Sequence, residues 1–137
     1  MHIEIVYDSL TGTTAKAAKS MGEMLEAQGH QCRIQKVSDA DPLEVTQADL
    51  IIVGGWVQGL FIVLQHPSEG AIWFINRLGE LSGKKAVVFC TYKIASGSTL
   101  KQLAGKLEQK GAEVIGQFKF RGSRPDAAFE NFMETLS

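Results

Sequence analysis

Four hydroxyl side chains surround a single glycine where the first apolar run of the chain turns into a helical pattern. Ser9, Thr11, Thr13 and Thr14 flank Gly12 within the segment IEIVYDSLTGTTAKAA. Backbone N–H groups at a helix start point toward a bound anion, the helix dipole favours negative charge, and short hydroxyls add donors. Gly12 lets the backbone approach closely and take a positive φ. An ordinary helix cap needs one hydroxyl, so four of them favour a site for a phosphate monoester.

Two further loops are predicted to leave the carboxyl ends of strands and to carry aromatic residues. The loop at 54–68 contains Trp56 and several glycines, and the loop at 90–97 contains Tyr92. In an open parallel sheet, ligands bind beyond such strand ends, where the strand order reverses. Phosphate at one end and aromatic rings at the other would suit a mononucleotide. Trp56 would equally suit the core at a strand end, and Tyr92 would equally suit a solvated loop.

The elements that must position these loops alternate along the whole chain. Strands are predicted at residues 2–7, 31–37, 49–54, 85–91 and 112–120, and helices at 12–28, 41–47, 68–81, 98–110 and 125–136. Ser68 is the expected cap of the third helix. Because the alternation is uninterrupted, we expect a single α/β domain over residues 1–137, built on a parallel sheet.

Composition narrows the class of protein. The 137 residues are 45% hydrophobic and 21% charged, with 14 basic and 15 acidic residues and a net charge of -1. This balance, without clustered Lys and Arg, argues against a nucleic-acid or anionic-membrane surface. Arg121 and Arg124, after the last strand, are within reach of a substrate phosphate, but the pair is expected to face solvent. The sequence contains no apolar run long enough to span a membrane and no signal-peptide pattern. Cys32 and Cys90 are far apart, as expected for reduced thiols. We therefore expect a cytoplasmic protein.

Other motifs of nucleotide and metal chemistry are absent from the sequence. A Walker A motif fails because Leu78 stands where its upstream glycine is needed, and no G-x-G-x-x-G follows the first strand. His2, His30 and His66 are scattered, so neither a metal site nor a hydrolytic triad is predicted. A receiver-type signalling module would need an aspartate after the third strand, which instead ends in Val-Gly-Gly.

The hydroxyl-rich turn and the two aromatic loops together resemble the flavodoxin family. The segment YDSLTGTTAKAA is similar to the family's FMN-phosphate loop, Ser/Thr-x-Thr-Gly-x-Thr, and residues 89–118 are similar to the fourth strand through the last strand of short-chain members. The resemblance covers essentially the whole chain. It implies a three-layer α/β sandwich, a five-stranded parallel sheet of order 2-1-3-4-5, and FMN at the junction of strands one and three. The residues that it implies for FMN binding are Ser9, Leu10, Thr11, Gly12, Thr13, Thr14, Gly55, Trp56, Val57, Gly59, Thr91, Tyr92 and Gly97.

Within that resemblance, several residues have specific expected roles. Trp56 and Tyr92 are the candidates for stacking on the flavin ring, because flavins gain binding energy from aromatic faces. Gly55 and Gly59 are both candidates for a peptide that flips toward the ring. Leu10 stands where the family usually carries a polar side chain, which removes one possible donor.

The implied function is electron transfer by bound FMN, with a redox protein or a small electron donor or acceptor as partner. A small FMN-dependent reductase of quinone or NAD(P)H is one alternative, and an interaction module without flavin is another. Carriers of this family are typically strongly acidic, whereas this chain is nearly neutral, so docking onto basic partners is not implied. The apolar residues 60–64 are interpreted in three ways: a lid over the ring, a docking or homodimer surface, or a loop folded onto the core.

Overall fold

A computed structural model describes the backbone of residues 1–60 and 63–136 and the side chains of residues 1–58 and 65–136. In the described chain the strands are β1 (His2–Tyr7), β2 (Gln31–Lys36), β3 (Leu50–Leu60), β4 (Val63–Pro67), β5 (Lys85–Tyr92) and β6 (Glu113–Arg121). The helices are α1 (Thr13–Ala27), α2 (Pro42–Val45), α3 (Glu69–Arg77), α4 (Thr99–Gln109) and α5 (Ala127–Met133).

Five of the strands form a parallel sheet in the order β2-β1-β3-β5-β6. β1 pairs with β2 and β3, and β5 lies between β3 and β6. Numbered as parallel strands alone, this is the order 2-1-3-4-5, so the expected three-layer fold is confirmed. The chain runs from β1 outward to β2 and then back across to β3. The strand order therefore reverses between β1 and β3, and a crevice is expected at their carboxyl ends.

β3 is longer than the sequence predicted, and it takes part in a hairpin. The prediction placed a loop over 55–68, because glycines and a proline interrupt the strand pattern there. β3 instead pairs with β5 as far as Trp56 opposite Thr91, and then pairs with the antiparallel strand β4, with a register shift between Gln58 and Leu60. β4 is therefore an additional strand that does not belong to the parallel sheet. It lies beside the carboxyl end of that sheet.

Several helix ends differ from the prediction. α1 begins only at Thr13, after Gly12, and both α2 and α5 are shorter than predicted. α3 ends at Arg77 because Leu78 already has an extended backbone, with ψ of 143°. Ser68 precedes α3 as expected, but its hydroxyl makes no capping hydrogen bond and is buried without a partner among the described residues.

The sheet separates two apolar layers, as the continuous apolar strands predict. On one face, Phe74 of α3 and Leu107 of α4 are fully buried against the sheet. On the other, Met21 and Leu25 of α1 pack together with Phe129 of α5. All five side chains have no exposed surface. Packing of these two layers on the sheet fixes β1, β3 and β5, whose carboxyl ends lie at the same edge of the sheet. The predicted site residues lie at that edge.

Glu4 is a charged residue in the middle of the buried strand β1. Its carboxylate is fully buried, and Arg33 Nε donates to both oxygens, at 2.9 and 3.0 Å. His2 Nε2 lies 2.8 Å from the same carboxylate, and Arg33 also forms an ion pair with Glu44 at 2.9 Å. The hydrogen bond to Glu4 raises the pKa of the Arg33 guanidinium. A buried carboxylate requires such partners, so this network fixes β1, β2 and α2 to one another.

Candidate functional site

The 9–14 turn joins β1 to α1 and is held in shape by its own serine. Ser9 Oγ accepts the N–H groups of Gly12, at 3.1 Å, and of Ala15, at 3.3 Å. Gly12 has a φ of 96°, and a Cβ there would meet no atom within 4 Å. The glycine is therefore needed for its backbone conformation, as predicted, and not for lack of room. Gly12 is the N-cap residue of α1, and the Ser9 hydroxyl satisfies one N–H of the first turn from outside the helix.

Five other backbone N–H groups of the 9–14 turn have no acceptor among the residues that the structure describes: those of Ser9, Leu10, Thr11, Thr13 and Thr14. The last two belong to the first turn of α1, whose N–H groups always need a partner outside the helix. The hydroxyl oxygens of Thr11 and Thr13 lie 3.5 Å apart, and the first turn of α1 carries no acidic residue. A dianionic phosphate would satisfy these donors without any basic side chain.

A cavity of about 520 Å³ opens beside this turn. Its walls come from four segments: the 9–14 turn, the β3–β4 hairpin, the end of β5 with the loop that follows it, and the end of β6. Small-molecule sites in proteins typically measure roughly 300–1,000 Å³. The volume and the place, at the carboxyl edge of the sheet, are those expected for a mononucleotide.

The two predicted aromatic residues lie on the wall of this one cavity. Trp56 lies opposite Thr91 in the β3–β5 ladder, so Tyr92 follows directly on the neighbouring strand. Both aromatic side chains are half-buried, and Val57 lines the cavity beside them. The structure therefore brings Trp56, Val57, Thr91 and Tyr92 together with the 9–14 turn. Which ring stacks on a ligand stays a prediction.

A buried hydrogen bond ties the 9–14 turn to β5. Thr14 Oγ1 and Thr91 Oγ1 lie 2.7 Å apart, with only 1% and 4% of the two residues exposed. Both also line the cavity. The bond joins residues 77 positions apart, so it sets the distance between the predicted phosphate end and the predicted ring end of the site.

Among the predicted site glycines whose side-chain environment the structure describes, Gly12, Gly55 and Gly97 are not lining residues of the cavity. Gly55 lies inside the β3–β5 ladder, and a Cβ there would fall 2.5 Å from Ser68 Oγ. Gly97 has a φ of 54°, and its Cβ would fall 2.7 Å from that of Gln65. Gly55 and Gly97 are therefore packing positions where a larger residue would collide. Which of Gly55 and Gly59 carries a peptide that flips toward the ring stays a prediction.

Arg121 is exposed, as predicted, and it also lines the cavity. Its Nε donates to the carbonyl oxygen of Lys93 at 3.2 Å. Lys93 and Ile94 line the same wall. The signal that identifies Arg121 is the sheet order, because β6 ends beside β5, with Arg121 opposite Tyr92.

The charged side chains that line the cavity in the described part of the chain are Lys93 and Arg121, and both are basic. Cys90 lies within β5, next to the lining residue Thr91, where burial raises the pKa of its thiol from 9.0 to about 12. A thiol with that pKa carries almost no thiolate near neutral pH. Cys90 is therefore suited to packing and not to redox chemistry.

Two other features were searched for in the described residues. None of their helices is both long and apolar enough to cross a membrane, and they contain no group of three or more His, Cys, Asp or Glu side chains arranged to hold a metal ion. Of the apolar segment 60–64, Phe61 and Ile62 lie outside the described residues, as do the side chains of its other members. The lid, docking and core interpretations of this segment therefore stay predictions.

Comparison with known proteins adds three findings. A family model described as Flavodoxin matches residues 5–135. A flavodoxin of Clostridium beijerinckii is 26% identical over 96% of this chain and 94% of its own length, and a flavodoxin of Megasphaera elsdenii is 29% identical over 83% and 82%. The solution structure of two-electron reduced Megasphaera elsdenii flavodoxin superposes with a TM-score of 0.77 and 26% identity, over 90% of this chain and 88% of that one.

Proposed function

The chain belongs to the flavodoxin family, and on that premise we propose that it binds FMN in the cavity at the carboxyl edge of the sheet and carries electrons. The observation that supports this most strongly is the 9–14 turn, where five backbone N–H groups have no acceptor among the described residues. Such a turn at a helix start is suited to one phosphate group. The aromatic wall of the same cavity supplies the second part of the site.

The residues present fit FMN at its phosphate end. The N–H groups of Leu10, Thr11, Thr13 and Thr14 would hold the phosphate, with the threonine hydroxyls as additional donors. Leu10 replaces the polar side chain usual in the family, but a backbone N–H does not depend on the side chain that it carries. The loss of that side-chain donor therefore leaves the main set of donors intact. The dipole of α1 adds a favourable interaction with the dianion.

The ring end of the site is apolar on most of its surface. Trp56, Val57, Tyr92, Ile94 and Ala95 line the cavity there. These side chains would bind a flat conjugated ring through its faces and exclude water from it. Bound FMN supplies the redox chemistry, since it takes up and releases electrons. The chain supplies binding, orientation and the polarity around the ring.

The lining residues favour a carrier over an enzyme with its own substrate. In the described part of the chain, no carboxylate, imidazole or thiol lines the cavity. General acid–base catalysis on an organic substrate usually relies on one of these groups. The remaining polar side chains are hydroxyls, amides and the two cations Lys93 and Arg121. The hydroxyls and amides can bind and orient a flavin, while the two exposed cations lie at the mouth of the cavity, where a partner would exchange electrons. The identity of that partner, a redox protein or a small molecule, is open, and we expect it in the cytoplasm.

The test is a titration of the FMN-free chain with FMN and with riboflavin, followed by quenching of flavin fluorescence. Riboflavin lacks the phosphate, so it should bind at least about a hundredfold more weakly if two or more charge-assisted hydrogen bonds are lost. Thr11→Ala should weaken FMN binding and leave riboflavin binding unchanged. Thr135→Ala, near the end of the chain and away from the cavity, is the matched control. Equal affinity for the two flavins would overturn the phosphate site, and no binding of either would overturn the function.

A further inference from the structure

We propose that the mouth of the cavity is a docking surface for a redox protein with an acidic patch, a proposal that rests on the proposed FMN function. The surface consists of Leu10, Lys93, Ile94 and Arg121, called the cavity rim below. All four line the cavity and all four are exposed. They come from three different segments that only the fold brings together: the 9–14 turn, the loop after β5 and the end of β6.

The apolar part of the rim stands out within the described chain. Leu10 is 68% exposed and Ile94 is 59% exposed, and each is among the four large hydrophobic residues with exposed side chains there. Of the other two, Trp73 on α3 has the Arg77 guanidinium 4.6 Å from its ring centre, and Leu43 lies on α2; neither lines the cavity. Single exposed hydrophobic residues are common. Two on one cavity mouth mark a surface that contacts another molecule.

The charge of the rim is positive although the chain as a whole is not. Lys93 and Arg121 are the charged residues of the cavity wall in the described structure, while the sequence carries 15 acidic and 14 basic residues. Neither cation forms an ion pair with a described residue. The hydrogen bond from Arg121 Nε to the Lys93 carbonyl holds the two residues together. The outer N–H groups of the Arg121 guanidinium therefore stay available for a carboxylate.

This arrangement selects one kind of occupant. Carboxylates around a small apolar centre would complement both cations and both apolar side chains, and they would steer and orient the encounter. A second copy of this chain fits poorly, because a twofold dimer formed through the rim would bring Lys93 and Arg121 against the same cations. Acidic carriers of the family would be matched by partners with a basic docking surface. The basic rim of this chain would instead be matched by a partner with an acidic docking surface.

The test uses one acceptor protein in two charge states. Native cytochrome c is basic, and cytochrome c with succinylated lysines is acidic. Fully reduced, FMN-loaded protein is mixed with each in a stopped-flow instrument. Two ferric haems each take one electron from one reduced flavin, and the flavin's protons go to the solvent. At about 10 mM ionic strength, the wild type should react faster with the acidic form, and this preference should fade as salt is added.

Charge variants assign the preference to the rim. Lys93→Gln and Arg121→Gln should each lower the ratio of the two rates, acidic over basic, by roughly threefold or more at low salt. Arg121→Lys keeps the charge and should keep the ratio. Lys85→Gln is the matched control, because it removes the same charge at the opposite end of β5, seven residues and about 23 Å from Tyr92. Lys85→Gln should leave the ratio unchanged.

Two results would overturn the proposal: a wild-type preference for the basic acceptor, or rate ratios for Lys93→Gln and Lys85→Gln that agree within error. FMN affinity is measured for every protein by fluorescence quenching, so the two levels of the argument stay separate. A wild type that binds no FMN refutes the proposed function itself. A wild type that binds FMN normally but shows no effect of the rim charges refutes the docking surface alone.

Discussion

Replacing Thr14 by valine should destabilise the chain through Thr91. The two hydroxyl oxygens lie 2.7 Å apart and the residues are only 1% and 4% exposed, so water has little access to a hydroxyl that loses its partner. Valine keeps the β-branched shape and removes only the hydrogen-bonding group. The hydroxyl that remains is then buried and unpaired, which costs about 1–3 kcal/mol. We expect Thr14→Val and Thr91→Val each to lower the free energy of unfolding by an amount in that range.

The double replacement should restore most of this loss. When both hydroxyls are replaced by methyl groups, neither is left unpaired, and such exchanges are often nearly neutral. We therefore expect the double variant to lie within about 1 kcal/mol of the wild type, with a coupling energy of at least about 1 kcal/mol. The assay is urea unfolding of the four FMN-free proteins, followed by circular dichroism. Effects that simply add would refute the hydrogen bond as the link between the 9–14 turn and β5.

The same four proteins separate two roles of Thr14. If its hydroxyl also donates to the FMN phosphate, FMN affinity should fall in both variants that lack Thr14 and remain near wild type in Thr91→Val. The loss should be about 1–3 kcal/mol, or roughly five- to 150-fold in the dissociation constant. Equal loss of FMN affinity in Thr14→Val and Thr91→Val would mean that the hydrogen bond only positions the turn.

Three further predictions concern the frame around the site. Arg33→Met should lower the free energy of unfolding, because it takes the main partner from a buried carboxylate. Glu4→Leu should lower it less, since the Arg33 side chain is exposed enough to be hydrated; urea unfolding in which Glu4→Leu costs as much as Arg33→Met would contradict this. Gly55→Ala should destabilise by about 1–3 kcal/mol through overpacking, because its Cβ would lie 2.5 Å from a buried serine hydroxyl, while Gly79→Ala, with nothing within 4 Å, is the control and should be neutral. Cys90 should react with iodoacetamide at pH 8 about a thousandfold more slowly than an exposed thiol, because burial raises its pKa to about 12. Since the pKa of the folded thiol exceeds the unfolded value of 9.0, the contribution of the Cys90 thiol to stability is complete below pH 9 and is lost as pH rises toward 12. The free energy of unfolding, measured in urea at several pH values, should therefore fall less steeply between pH 9 and 12 for Cys90→Val than for the wild type. Equal pH dependence of the two proteins would argue against the raised pKa.

The parallel fold was predictable because its signals are local. Runs such as 49–54 are apolar without interruption, which is typical of a strand buried on both faces, and helical patterns separate them. The hairpin was not predictable in the same way. Gly55 and Gly59 interrupt the strand pattern, and the pairing of Val57 with Pro67 depends on chain that folds back antiparallel. Sequence patterns indicate where a strand is favourable, but they do not show where hydrogen-bond pairing continues past glycine.

The candidate site likewise has one part that the sequence predicts and one part that it does not. The hydroxyls and the glycine of the 9–14 turn lie within six residues, so their chemistry could be identified without knowing the fold. The contacts that complete the cavity join distant segments. The Thr14–Thr91 bond depends on how α1 packs against the sheet, and the Arg121–Lys93 bond depends on the β5–β6 register. No local pattern shows either of them. This is why the sequence analysis did not place Arg121 on the cavity wall and did not anticipate the basic charge of the rim.

The central claim is that FMN is held by its phosphate at the backbone of the 9–14 turn. The most direct measurement is a two-dimensional ¹H–¹⁵N NMR spectrum of the chain with FMN and with riboflavin. A hydrogen bond to a dianion moves an amide proton downfield, so the signals of Leu10, Thr11, Thr13 and Thr14 should shift with FMN and stay near their free positions with riboflavin. Four amide signals that respond equally to both flavins, or to neither, would contradict the account.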